Sequence, residues 1–101
     1  MAMTPEKKVK KAVSNILDIY GAYYFSPMTG GFGRSGVPDI VACYKGRFIG
    51  IECKAGNNKP TELQKKEIAK IQTAQGSAIV VNEDNLDLVQ DVLKFIDGEL
   101  K

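Results

Sequence analysis

Histidine is absent from these 101 residues, and cysteine occurs only twice. Without imidazole the chain cannot build the triads and dyads that use it as a base, HExxH zinc sites or Cys2His2 fingers. Cys43 and Cys53 are too few for a disulfide framework and wrongly spaced for a CxxC metal site. They read as buried thiols of an intracellular protein. Long apolar runs are missing too: none approaches the ~20 residues that cross a bilayer, and Met1 to Glu6 contain no apolar signal core. A soluble, cytoplasmic protein without a membrane partner is the expectation.

What is present fits a folded domain. Hydrophobic residues make up 44% and charged residues 26% of the chain, near the globular average, which argues against disorder or a low-complexity tail. The length suits one compact domain over 1–101 with a modest core, the size at which oligomerisation often adds buried surface. A net charge of +2 conceals an uneven distribution. Residues 1–13 carry +3 and residues 34–70 carry +4, whereas residues 83–101 carry −4. A basic middle with an acidic end suits a polyanion on one face, although solvated helix faces produce the same counts.

Thr4-Pro5-Glu6 has the form of a helix start, and Val9, Ala12, Val13, Ile16, Leu17 and Tyr20 continue at helical spacing until Gly21, predicting a helix over about 5–20. Ala22 to Phe25 reads as a short strand closed by Ser26-Pro27. Met28 to Gly36, rich in glycine, reads as a mobile or ligand-facing loop. Ile40–Tyr44 and Phe48–Cys53 form the arms of a hairpin turning at Lys45-Gly46. Thr61-Glu62-Leu63-Gln64 is a capping box opening an amphipathic helix that ends at Gly76. Ala78–Val81 reads as a buried strand, and Leu86, Val89, Val92, Leu93 and Ile96 mark a last helix ending near Gly98. The order α-β-β-β-α-β-α implies an α/β fold in which the helical crossover lays the fourth strand parallel to a neighbour, giving a mixed sheet flanked by helices.

The hairpin also predicts a site. With Lys45-Gly46 as a two-residue turn, Asp39 falls opposite Glu52, and Lys54 lies two residues on, sharing the face of Glu52. Opposed like charges are unfavourable unless something offsets them, and a divalent cation does so. Two carboxylates beside an ammonium suit a hard ion such as Mg2+, with Mn2+ able to substitute. A metal that polarises a phosphodiester and acidifies water makes hydrolysis feasible without histidine. Lys54 would orient or deprotonate the attacking water, or stabilise charge on the phosphate. The same register puts Cys43 and Cys53 on opposite sheet faces, unable to bridge.

Gly36-Val37-Pro38-Asp39, Ile51-Glu52-Cys53-Lys54 and Thr61-Glu62-Leu63-Gln64 together resemble the PD-(D/E)xK nuclease superfamily, and within it the small virus-type replication-repair (VRR-NUC) nucleases. The resemblance spans about residues 4–81. It implies a restriction-endonuclease-like αβββαβ core followed by a C-terminal helix. It implies Asp39 and Glu52 as metal ligands, the backbone carbonyl of Cys53 as a further ligand, and Lys54 as the catalytic lysine. It also implies a DNA substrate and, from small stand-alone forms similar to Holliday junction resolvases, a homodimer acting on four-way junctions. Phage origin, with action in a host cell, is suggested by the resemblance alone. The alternatives are a nuclease for linear or sequence-specific DNA, and a non-cleaving nucleic-acid-binding or assembly subunit of the same fold.

Several residues admit two readings. Gln64 matches a polar residue of the family's site, yet it also completes the capping box. Glu6 could reach the metal, as a helix-1 Glu does in related nucleases, or merely complement the helix dipole. Arg34 and Ser35 are candidates to contact DNA phosphate from the glycine-rich loop, as are Lys7, Lys8, Lys10, Lys11, Lys59, Lys65 and Lys66, each otherwise a solvated polar residue. Tyr23, Tyr24 and Phe25 suit a core or dimer surface better than a base-stacking platform.

Overall fold

The structure is a computed structural model and describes residues 3–28 and 34–99; five residues of the glycine-rich loop, 29–33, lie outside that description. Helix α1, Pro5–Tyr20, begins where Thr4 Oγ1 accepts from the Lys7 N–H at 3.2 Å. It ends where Gly21 turns left-handed at φ 76°, with its N–H on Asp18 O and the Ala22 N–H on Leu17 O. Val9, Val13 and Leu17, four residues apart on one stripe, are buried.

Four strands follow: β1 Tyr23–Phe25, β2 Ile40–Tyr44, β3 Arg47–Cys53 and β4 Ser77–Val81, in sheet order β1-β2-β3-β4. The first two pairings are antiparallel and β3 pairs β4 in parallel, as the helical crossover requires. Register in the hairpin is the expected one, from Tyr44 opposite Arg47 to Ile40 opposite Ile51. Lys45 and Gly46, at φ 50° and 81°, make the two-residue turn whose twist matches the strands.

Ile40, Ala42 and Tyr44 of β2, with Ile49, Ile51 and Cys53 of β3, face the core built with α1 and with α3, Asp87–Glu99, through Val89, Leu93 and Ile96. Helix α2, Glu62–Thr73, lies across the other face, chiefly over β4. There Gly50 permits contact: a Cβ on it would lie 2.8 Å from Ile71 Cδ1 and 2.9 Å from Pro38 Cγ.

Three expectations need correction. Cys43 is exposed, because its face of β2, beside Tyr23, is not the face turned to the core, whereas Cys53 is buried. Strand β4 is an edge strand with only Val81 fully buried, its faces shared between α2 and α3. Helix α2 stops at Thr73, and Gln75, at φ 70°, takes the left-handed position assigned to a glycine stop at Gly76. Helix α3 ends at Glu99, next to Gly98 as expected. Burial of Val89, Leu93 and Ile96 drives this last helix, and a single interior glycine costs only about 1 kcal/mol.

Candidate active site

The site forms where the hairpin ladder runs out. Asp39 immediately precedes β2 and is half-buried, and its Oδ2 accepts from the Cys53 N–H at 2.8 Å. Glu52, on β3, is 2% exposed. Lys54 follows the end of β3, its backbone N–H donating to Val81 O at 2.9 Å, so the parallel ladder with β4 holds this segment beyond the strand.

Asp39 and Glu52 are coupled electrostatically. Glu52 is pushed from the ordinary 4.5 up to about 9, first by burial, then by its hydrogen bond with Asp39, then by the Asp39 charge, with Lys54 partly offsetting these. A buried carboxyl beside a second carboxylate keeps its proton at neutral pH unless a cation intervenes. Glu52 Oε2 is buried and makes no hydrogen bond. An unpartnered buried carboxylate oxygen is costly, so its presence beside a second carboxyl marks a place shaped for a ligand. The neighbouring Cys53 thiol is pushed up to about 12, chiefly by burial, and is held inert as a thiol.

The Pro-Asp motif is docked against α2. Gly36 adopts φ 80° and sits under the first turn of α2, where a Cβ would lie 2.6 Å from the Leu63 carbonyl carbon and 2.7 Å from its oxygen. Arg34 Nη2 meets Glu67 Oε2 at 2.7 Å, and Lys70 approaches the same oxygen at 3.7 Å. These contacts with α2, and the close seating of Pro38 on Gly50, fix the approach to Asp39.

Asp39, Glu52, Lys54 and the Cys53 backbone are thus brought together. Glu6 remains exposed in the first turn of α1, and its charge acts on Glu52 more weakly than those of Asp39 and Lys54. Among the described residues no three carboxylate, thiol or imidazole side chains form a metal cluster. Gln64 completes the capping box: its Oε1 accepts from the Thr61 N–H at 2.8 Å and its own N–H donates to Thr61 Oγ1 at 3.2 Å. Lys65 pairs with Glu62 at 3.4 Å along α2. Ser35, Lys7, Lys11 and Lys59 are exposed. Lys59 and Lys54 line one groove. The sequence reading missed Glu83, both of whose carboxylate oxygens accept from the Gly56 N–H, at 2.9 and 3.1 Å, just past Lys54. No local pattern announces a contact between residues so far apart in the chain.

A mixed sheet whose hairpin brings Asp39 to the end of a Glu-x-Lys strand has the arrangement expected of the PD-(D/E)xK class of nuclease folds. Within it, the chain belongs to the family described as archaeal Holliday junction resolvase (hjc), whose model matches residues 7–82. It is 38% identical over 93 residues to "Putative nuclease p44" of Acyrthosiphon pisum secondary endosymbiont phage 1, covering 88% of this chain and 95% of that protein. Two solved structures share the fold. One, described as a VRR_NUC domain, has TM-score 0.71 at 22% identity, covering 91% of this chain and 97% of that one. The other, a VRR_NUC domain protein, has TM-score 0.65 at 21% identity, covering 95% and 88%. The expected resemblance and α/β architecture are borne out, and family membership makes the chain a nuclease. Among the described residues no helix is long and apolar enough to cross a membrane.

Proposed function

We propose that this nuclease is a divalent-metal-dependent DNA endonuclease that hydrolyses phosphodiester bonds, selects branched DNA such as four-way junctions, and works as a homodimer inside a host cell. The observation that carries the reading is the buried, unpartnered Glu52 Oε2 beside Asp39. Asp39, Glu52 and the Cys53 backbone carbonyl fit a hard cation, Mg2+ with Mn2+ as substitute, and would hold it. When bound, that ion supplies Lewis acidity towards the phosphate and acidifies water for attack.

The chain's own groups do the rest. The Cys53 N–H holds Asp39 Oδ2 in place, so that carboxylate needs little reorganisation when DNA arrives. Lys54, as an ammonium with three donors, orients the attacking water and offsets negative charge growing on the phosphate. Lys7, Lys11, Lys59 and Lys65, with Arg34 and Ser35, supply backbone contacts that position DNA without reading sequence. Dimerisation is supported by the two incisions that resolving a junction requires. Tyr23, 72% exposed, and Phe25, 49% exposed, on edge strand β1 offer apolar surface for it.

Purified protein incubated with labelled four-way junctions, flaps and linear duplexes, in Mg2+, Mn2+ or EDTA, tests the reading beside Glu52→Ala and Lys54→Ala variants. Metal-dependent cutting, strongest on junctions and lost in both variants, is expected. Binding without cutting in either metal refutes the enzyme and leaves a non-cleaving subunit. Preferential cutting of linear DNA refutes junction selectivity. Sedimentation showing only an 11 kDa species, free and on DNA, refutes the dimer.

A further inference from the structure

We propose that the groove leading from Lys54 to the turn between β4 and α3 holds the nucleotide next to the scissile phosphate, and that Asn57 and Asn58 read its base. This rests on the nuclease acting on DNA at Asp39, Glu52 and Lys54, and adds a base-contacting subsite to it. The groove has a volume of about 310 Å³ and Lys54 is one of its lining residues, so it adjoins the site and offers a strand whose phosphate lies there a place to continue.

Its lining suits such a strand. Lys54 and Lys59 contribute cations, and among the described residues no Asp or Glu lines it, in a chain that carries 12 acidic residues. Val80, half-buried on the strand beside Glu52, gives it an apolar patch on which a sugar or base can rest. Four asparagines complete it, and they divide into two pairs by what they already do. Asn85 Oδ1 accepts from the Asn82 N–H at 2.6 Å, while Asn82 Oδ1 accepts from the Asp84 N–H at 2.8 Å, so this pair builds the turn. Asn57 and Asn58 are exposed, and among the described residues their side chains enter no hydrogen bond. A carboxamide offers both donor and acceptor and can meet a base edge in two bonds at once, which a lysine cannot.

The loop presenting Asn57 and Asn58 is held from across the groove. Glu83 grips the Gly56 N–H with both oxygens, and Asn82 Nδ2 donates to Gly56 O at 3.2 Å. Gly56, at φ 57°, turns the chain, and the Asn58 N–H closes the turn on Ala55 O at 3.2 Å. Glu83 is therefore a positioning residue for the two amides.

A protein–DNA double-mutant cycle tests the subsite by binding as well as cutting. A single abasic position is moved through three nucleotides on either side of the cleavage point in a fluorescent junction. Affinity in EDTA and kcat/KM in Mg2+ are measured for wild type, Asn57→Ala, Asn58→Ala, Glu83→Gln and Glu83→Ala. At one position adjacent to the cut, base removal should cost wild type roughly tenfold, the size of one base-edge contact. In Asn57→Ala or Asn58→Ala it should cost less than about twofold. Glu83→Gln, which keeps an acceptor for Gly56, should behave as wild type, and Glu83→Ala should lose the base dependence. Base removal that costs every variant the same at every position overturns the subsite. The outcomes separate from those of the parent reading: coupling in binding with no cutting in any metal sinks the nuclease mechanism and keeps the subsite. Cutting without coupling does the reverse.

Discussion

Replacing Glu52 by glutamine should destroy cleavage and at the same time stabilise the metal-free protein at alkaline pH. Glu52 is buried and unpartnered at Oε2, and its carboxyl in the native state holds its proton up to about pH 9, against an ordinary 4.5. Between those values the native state binds a proton that the unfolded chain has released. Stability without metal therefore falls as pH rises across that window, at up to about 1.4 kcal/mol per pH unit. The sign is opposite to that of a salt-bridged carboxylate, which loses stability in acid.

Between about pH 5 and about pH 8.5 the ceiling is about 5 kcal/mol. Water entering the neighbouring groove and small relaxations reduce this to an expected cost of about 1–2 kcal/mol. The Glu52→Gln side chain carries no charge, and its amide can donate to Asp39, so the variant escapes the penalty. For a domain of this length, 1–2 kcal/mol corresponds to roughly 5–10 °C in melting temperature. Thermal melts in EDTA at about pH 5 and about pH 8.5 measure it. Wild type and Glu52→Gln should nearly coincide at the lower pH and separate at the higher, the variant melting later. Added Mg2+ should then stabilise wild type in proportion to its occupancy and leave the variant unmoved. A gap that is the same at both pH values, or a variant less stable than wild type at pH 8.5, refutes the picture of a carboxylate held at cost for a cation.

The remaining expectations are more local. Lys54→Ala should lower the cutting rate by about 10²- to 10⁴-fold while junction affinity in EDTA changes only a few-fold, since one ammonium is a small part of the phosphate contacts; loss of binding in proportion to loss of rate would make Lys54 a DNA anchor instead. Gly36→Ala places a Cβ 2.6 Å from the Leu63 carbonyl carbon at a positive φ, so it should destabilise by about 2 kcal/mol or more in urea denaturation, and a neutral result would contradict the docking of the Pro-Asp motif on α2. Thr61→Ala should cost about 1 kcal/mol, whereas Gln64→Glu keeps both capping bonds and should melt within about 0.5 kcal/mol of wild type. Lost cleavage in Gln64→Glu at unchanged stability would assign Gln64 to the site as well as to the cap.

Features set by short-range chemistry were legible in the sequence. The bounds of α1 follow from Thr4, Pro5 and Gly21, each of which acts within its own turn, and the structure places them at the same residues. The hairpin register follows from the Lys45-Gly46 turn, because a two-residue turn leaves no freedom in which residues oppose one another. That register is what brings Asp39 to the end of β3, although the strand pairing itself stops one step short, at Ile40 opposite Ile51. Asp39 ends the ladder with its side chain, accepting the Cys53 N–H. Features that depend on what covers an element were not legible. The register already places Cys43 and Cys53 on opposite faces, but only the placing of α1 and α3 on one of them makes the first exposed and the second buried. The β-branched run of β4 looks the same at a sheet edge as at its centre, and sheet order alone decides.

The same distinction explains the division of labour around Lys54. The residues proposed to supply the chemistry come from one hairpin of consecutive strands, so their spacing is a local code and a motif can express it. The groove beside them is assembled by Gly56 meeting Glu83 and Asn82 across 27 and 26 residues of chain. A contact of that kind carries no fixed spacing, because any length of crossover helix that returns β4 beside β3 will serve. On the proposed reading, chemistry at Asp39, Glu52 and Lys54 is specified by the fold's central ladder, whereas the choice of DNA at the groove is specified by loops free to vary without disturbing it. Changes confined to residues 56–59 and 82–85 should therefore alter which strands are cut well before they alter whether cutting occurs.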